Sequence, residues 1–164
     1  HEAGRLQDRI TRLSSGVAVI RVGASSEVEM IEKKHRIEDA LEAVRSAQQE
    51  GIVPGGGMTL LRVSNSVNPN FSTEEQSSSL SIFKRALQAP FRTMAINAGL
   101  SPDVTMWSAQ SCTESEGFDF TSGQRVNVLQ KGIIDPAKVT KSALRNAVSV
   151  AGTLLLTNHS IVHQ

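Results

Sequence analysis

Apolar residues along this chain recur mostly at the three-and-four spacing of helices, with one short stretch that alternates instead. Residues 2 to 14 carry Leu6, Ile10 and Leu13 among charges, which predicts a short amphipathic helix. The stretch VAVIRV, residues 17 to 22, is β-branched and alternating and ends at Gly23, so it predicts a strand. Ser26 and Glu29 then form a capping box ahead of a long helix that Gly51 stops. Within it Met30, Ile37, Leu41 and Val44 fall on one stripe, the expected packing face, while Asp39, Ala43 and Ser46 line the other side. Arg36, one turn before Asp39, is spaced for an exposed ion pair with it.

GIVPGGGMTLL, residues 51 to 61, joins that helix to the next through three consecutive glycines and no polar spacer. Two readings fit: tight packing between helices, or a ligand approaching the unpaired N–H groups at a helix start. No Lys-Ser/Thr follows, so this is not a Walker loop. A second helix is expected from Met58 to about Val67, then a polar loop, NPNFSTEEQ. The helical pattern from Ser77 to Asn97 contains Pro90, which predicts a kink or two helices. A helix restarts after Pro102, ESEGFDFTSGQRVNVLQKGIIDPAKV reads as a hairpin or loop region, and a last helix runs from about Lys138 through Leu156. The fold class is mainly α with small β elements.

Composition narrows the function classes. Hydrophobic residues at 39% and charged residues at 20% fit a soluble globular chain. The longest apolar stretches, such as Ala151 to Leu156, are far too short to span a bilayer. Seventeen basic and sixteen acidic residues are mixed along the chain, so there is no footprint for nucleic acid. Cys112 is the only cysteine, which excludes an internal disulfide and fits a reducing compartment. His159 and His163 are the only histidines at a ligand spacing, with no carboxylate nearby, so no metal site is expected. The first ten residues, HEAGRLQDRI, lack the apolar core of a signal peptide and begin in mid-pattern, as if cut from something longer.

Three carboxylates stand out, each with an ordinary account. Asp39 is a helix carboxylate facing small neighbours. Asp135, in GIIDPAKV, suits a turn opener or helix cap, and Asp119, in GFDFTSG, suits an Asx turn between two aromatics. Composition and spacing alone do not identify a function.

VAVIRVGASSEVEMIEKKHRIEDALEAVRSAQQEGIVPGGGMTLLRV closely resembles the group I chaperonins of the GroEL type. The likeness continues through ALQAPFRTMAINAGL and GFDFTSGQRVNVLQKGIIDPAKVTKSALRNAVSVAGTLLLT, with residues 68 to 79 and 104 to 116 least family-like. The resemblance implies the C-terminal segment of an ATP-driven folding machine. Residues 1–16 would be the tail of an apical domain, 17–49 the C-terminal part of an α/β intermediate (hinge) domain, and 50–164 the C-terminal half of a helical equatorial ATPase domain. Asp39, in IEDAL, would orient the water that attacks ATP. Gly55, Gly56 and Gly57 would pack against adenine and ribose, Asp135 would bind the ribose hydroxyls, and Asp119 would lie near the adenine amino group. Phe120 would present its backbone to the base edge, and Ile133 would form an apolar wall.

This chain departs from the family by carrying Phe at 118 and 120, where Tyr and Ala are usual. The family's phosphate loop, its Mg²⁺ and K⁺ ligands and a second catalytic aspartate belong to an N-terminal half that this sequence does not contain. The segment alone is therefore not expected to hydrolyse ATP. The implied partners are identical subunits in heptameric rings, with unfolded clients and a co-chaperonin bound through the missing apical region, and neither nucleic acid nor membrane. The implied setting is bacterial or phage-infected cytoplasm, or an organelle matrix. An alternative from another class is a structural or oligomerisation piece with no nucleotide site of its own.

Overall fold

The computed structural model describes residues 5–6, 9–10, 18–69 and 73–159. Residues 5, 6, 9 and 10 are helical, and the rest of the expected first helix, with Leu13, lies outside the described residues. The expected strand does not form: residues 18 to 22 have no regular structure, and Val17 lies outside the described residues. Val19 and Ile20 are well exposed. A strand is completed only by a partner that takes its backbone hydrogen bonds, and no described residue does so.

The chain divides into two compact units, residues 1–41 and 42–164. Helix α1 (Glu27–Glu50) begins as its capping box predicts. The Glu29 N–H donates to Ser26 Oγ at 3.3 Å, while the Glu29 carboxylate reaches back to the Ser25 N–H at 3.1 Å. Arg36 pairs with Glu32, not with Asp39. The expected packing stripe is largely bare. Met30, Leu41 and Val44 are 40%, 45% and 56% exposed, and only Ile37 is half-buried. Toward the helix end the covered residues are Ala43, Ser46 and Ala47. Periodicity marks which face is apolar; it does not supply the surface that covers it.

The second unit begins with the end of α1, where Gly51, at φ +81°, donates to Ala47 O at 2.8 Å. There follow β1 (Ile52–Pro54), α2 (Met58–Ser66), α3 (Glu74–Asn97), α4 (Pro102–Gln110), β2 (Glu116–Asp119), β3 (Gln124–Asn127), the one-turn α5 (Val128–Lys131), β4 (Ile134–Pro136) and α6 (Ala137–Leu155). β2 and β3 form the anticipated hairpin. β1 pairs antiparallel with the distant β4, setting Val53 opposite Asp135 and Pro54 opposite Ile134. Asp135 is thus a ladder residue and does not cap α6, whose N-cap is Pro136 with no side-chain bond.

Pro90 neither ends nor divides α3, which runs unbroken as one helix. The core lies where α2, α3, α4 and β2 meet, around Met58, Leu61, Phe91, Met106, Ala109 and Phe118. Arg62 ties this core to the segment before β2. Its guanidinium donates to the backbone oxygens of Glu114 at 2.8 Å, Thr113 at 2.5 Å and Glu116. Helix α6 has no buried residue. Lys141, 2.6 Å from Glu50, and Lys138, bonded to Gln49, tether its first turns. An apolar groove of about 620 Å³ separates α3 from α6, lined by Leu60, Phe83, Leu87, Pro90, Leu144 and Val148 among others.

Candidate functional site

The three glycines answer to different neighbours. A Cβ on Gly55 would stand 3.1 Å from the backbone of Ile133 and Ile134, because the Gly55 N–H donates to Ile133 O at 2.9 Å and extends the β1–β4 pairing. A Cβ on Gly57, at φ +73°, would stand 2.8 Å from Met94 Cε and 3.1 Å from the Phe91 backbone. Gly57 therefore lets the start of α2 lie against α3 beside Pro90. For these two positions the close visitor is the chain itself: a neighbouring helix at Gly57, as the packing reading anticipates, and strand backbone at Gly55, which it does not.

Gly56 differs. Its φ of +64° favours glycine, yet a Cβ there would meet only ordinary contacts: Ile133 Cγ2 and Phe118 O at 3.6 Å, and Phe120 Cε2 at 3.8 Å. The residue is half-buried, so the corner is not filled. Three elements converge on it: the turn before α2, the end of β2 and the approach to β4. The fold thereby gathers Gly56, Phe120 and Ile133, which lie far apart in sequence. Asp119 follows directly on Phe118, and Asp135 lies two residues beyond Ile133.

The two carboxylates have opposite environments. Asp119 accepts from the Ser122 hydroxyl at 2.8 Å and from the Thr121 N–H at 2.9 Å, an Asx turn that closes the β2–β3 hairpin. The Ser122 hydroxyl first, then the Thr121 amide, hold its carboxyl below the usual range. The Asp135 carboxylate has no hydrogen bond or cation among the described residues, and partial burial pushes it up although the residue as a whole is surface-exposed. A carboxylate kept where its charge is penalised and unpaired is ill-suited to stability and well-suited to receiving hydroxyl donors.

Phe120 is half-buried, its ring 5.1 Å from Phe91 and 5.2 Å from Phe118 between centroids. Asp39 is exposed and belongs to the other compact unit, and its side chain has no hydrogen bond or ion pair among the described residues. His163 lies outside the described residues, and no group of three metal-ligating side chains occurs among those described. No described helix is long and apolar enough to cross a membrane.

Sequence reasoning passed over Gly117, where a Cβ would lie 2.4 Å from Val128 Cγ1. This lets β2 press onto α5, the turn that leads to Ile133. It also passed over Arg62, whose carbonyl partners are invisible to side-chain motifs.

The residues present suit a planar base and a ribose: bare backbone, two apolar flanks and a carboxylate free to accept. Among the described residues that meet the three glycines none is cationic.

Comparison with known proteins gives this arrangement a context. The sequence matches the model of the TCP-1/cpn60 chaperonin family over residues 7–164. Its structure is similar to the crystal structure of a group III chaperonin in the open state, with a TM-score of 0.74 and 31% sequence identity. That likeness covers 90% of this chain but only 31% of the other, so the chain spans about a third of the relative's length. A match running through nearly every residue, helices and glycine corner alike, means that the chain belongs to the TCP-1/cpn60 chaperonin family.

Proposed function

We propose that this chain works as the C-terminal portion of an ATP-driven protein-folding chaperonin subunit of the group I type. It would supply the adenine and ribose side of the ATP site, with Asp39 serving in hydrolysis. The observation that carries the reading is the Gly56 corner, an open glycine backbone with left-handed φ, flanked by Phe120 and Ile133, each of which lies within two residues of a carboxylate in sequence. Family membership over residues 7–164 supports it. Phosphates, Mg²⁺ and K⁺ would be held mainly by chain that this sequence does not include, so the piece binds nucleotide weakly and hydrolyses none. Its partners would be identical subunits in rings, with clients and a co-chaperonin reached through the rest of the subunit, in a cytoplasm or organelle matrix.

Asp39 is assigned to orient the attacking water and not to abstract its proton outright, since an ordinary carboxylate is a poor base at neutral pH. In a full-length subunit, Asp39→Ala should leave ATP binding intact and slow steady-state turnover at least tenfold. Unchanged turnover would remove Asp39 from the mechanism.

A second reading, a structural or oligomerisation piece without a nucleotide site, draws support from Gly55 and Gly57, whose neighbours belong to the chain. The open groove between α3 and α6 supports it too. Titration of the 164-residue chain with ADP separates the two readings. Spectral changes at Gly56, Ile133 and Asp135 favour the nucleotide site, and silence there at saturating ADP favours the structural piece.

A further inference from the structure

We propose that the outer face shared by α3 and α4 is a docking surface for an acidic protein segment, which seats carboxylates at Lys84 and Arg85 and lays an apolar side chain on Trp107. The inference does not rest on the nucleotide reading.

Two helical stripes make up the face. On α3, Ser81, Lys84, Arg85, Gln88 and Arg92 recur at three- and four-residue spacings and line an open recess of about 430 Å³. On α4, Trp107 follows Val104 by three residues and Asp103 by four. Arg92 joins the stripes, because its Nη1 donates to Asp103 Oδ1 at 2.6 Å and lies 3.2 Å from Met106 Sδ. Ile96, one turn beyond Arg92, continues the α3 stripe. The recess is braced from α2 and the residues after it: Lys84 Nζ donates to Asn68 Oδ1 at 2.9 Å, and Gln88 Nε2 to Ser64 Oγ at 3.2 Å. The Arg85 guanidinium has no hydrogen bond or ion pair among the described residues, so its fork of donors is open to a carboxylate. Beside it, Trp107 is 76% exposed, with Val104 and Ile96 also exposed. Exposed tryptophan next to arginine is the make-up of an interface anchor.

Charge decides the occupant. Between Glu75 and Glu114 the chain carries Lys84, Arg85 and Arg92 against the single carboxylate of Asp103. A second copy presenting the same face would set this cationic excess against itself, whereas an acidic segment meets opposite charge. Nucleic acid is held by cations spaced along a phosphate backbone, and beyond Arg92 this face gives way to Ile96, Val104 and Trp107.

Trp107 is the only tryptophan and the chain has no tyrosine, so tryptophan emission reports on this face alone. The test titrates the 164-residue chain with a synthetic amphipathic peptide of Glu, Leu and Ala. The emission should shift to the blue and saturate, and the peptide with Gln for Glu should bind about tenfold more weakly or worse. By anisotropy of the labelled peptide, Trp107→Ala should weaken binding about tenfold, and Arg85→Gln about three- to tenfold. Both side chains are exposed, so neither change removes core packing. Leu155→Gln, in the groove between α3 and α6, should bind like the parent chain. Equal affinity for the Glu and Gln peptides, parent-like binding by Arg85→Gln or Trp107→Ala, or a loss confined to Leu155→Gln would each overturn the assignment. So would a single-stranded oligonucleotide that binds as tightly as the Glu peptide. A blue shift that grows with chain concentration before any peptide is added would overturn it too, by making a second copy the occupant.

Discussion

Gly56 and Gly57 are adjacent and share the left-handed backbone, but substitution should separate them. Gly57→Ala adds a methyl within 3.1 Å of the α3 backbone, so steric overlap is added to backbone strain, for a loss of about 2–4 kcal/mol. Gly56→Ala meets no atom closer than 3.6 Å and carries the strain alone, about 1–2 kcal/mol. Urea midpoints of the two variants measure the difference; equal losses would mean that the corner at Gly56 is as filled as the one at Gly57. Asp135 gives a prediction in pH. Its carboxyl is raised by desolvation, so the folded state holds the proton more tightly than the unfolded one. Its contribution therefore turns unfavourable as pH rises from the ordinary carboxylate value through the raised folded one. Asp135→Asn should leave stability unchanged or improved at pH 7 and flatten that part of the profile. A clear loss of thermal stability at pH 7 would contradict this account.

At the scale of elements, what could be read in advance depended on whether the determinants were local. The capping box of α1, the Gly51 stop, the restart at Pro102 and the bounds of α6 follow from neighbouring residues, and all appear within a residue or two of expectation. The β1–β4 pairing joins residues some eighty apart through backbone bonds, and short runs such as IVP and IDP carry no alternation to announce it. The strand at residues 17 to 22 was misjudged because its composition is that of a strand while its pairing partner is not among the described residues. Of the site, the glycines and carboxylates were visible as residue types, and the resemblance assigned their roles. That Gly55 and Gly57 serve internal contacts, and that Phe120 leans on Phe91, required coordinates. Arg62 matters at this scale because one planar group satisfies three carbonyls. Arg62→Lys should cost about 1–3 kcal/mol. It should also speed amide exchange in residues 113–118; protection equal to the parent chain's there would show the three bonds to be dispensable.

For the whole molecule the question is how much core a chain of this length possesses. Nine hydrophobic residues are buried among those described, against more than twice as many large hydrophobics left exposed. A self-sufficient domain of 164 residues would unfold with an enthalpy of about 115 kcal/mol near 60 °C. This chain alone should fall well below that value and bind a dye specific for exposed apolar surface; a full-sized cooperative transition by calorimetry would refute the deficit. Ile82, 71% exposed on α3 and lining the groove, sharpens the point. Ile82→Lys should shift the stability of the isolated chain by less than about 0.5 kcal/mol.

The corner at Gly56 is delimited in part by main-chain atoms, among them the carbonyl of Phe118 and the paired Gly55 amide. Such boundaries are inherited with the fold and survive most amino-acid exchanges. Evolution can therefore alter the lining at a position such as 120 step by step while the recess itself persists.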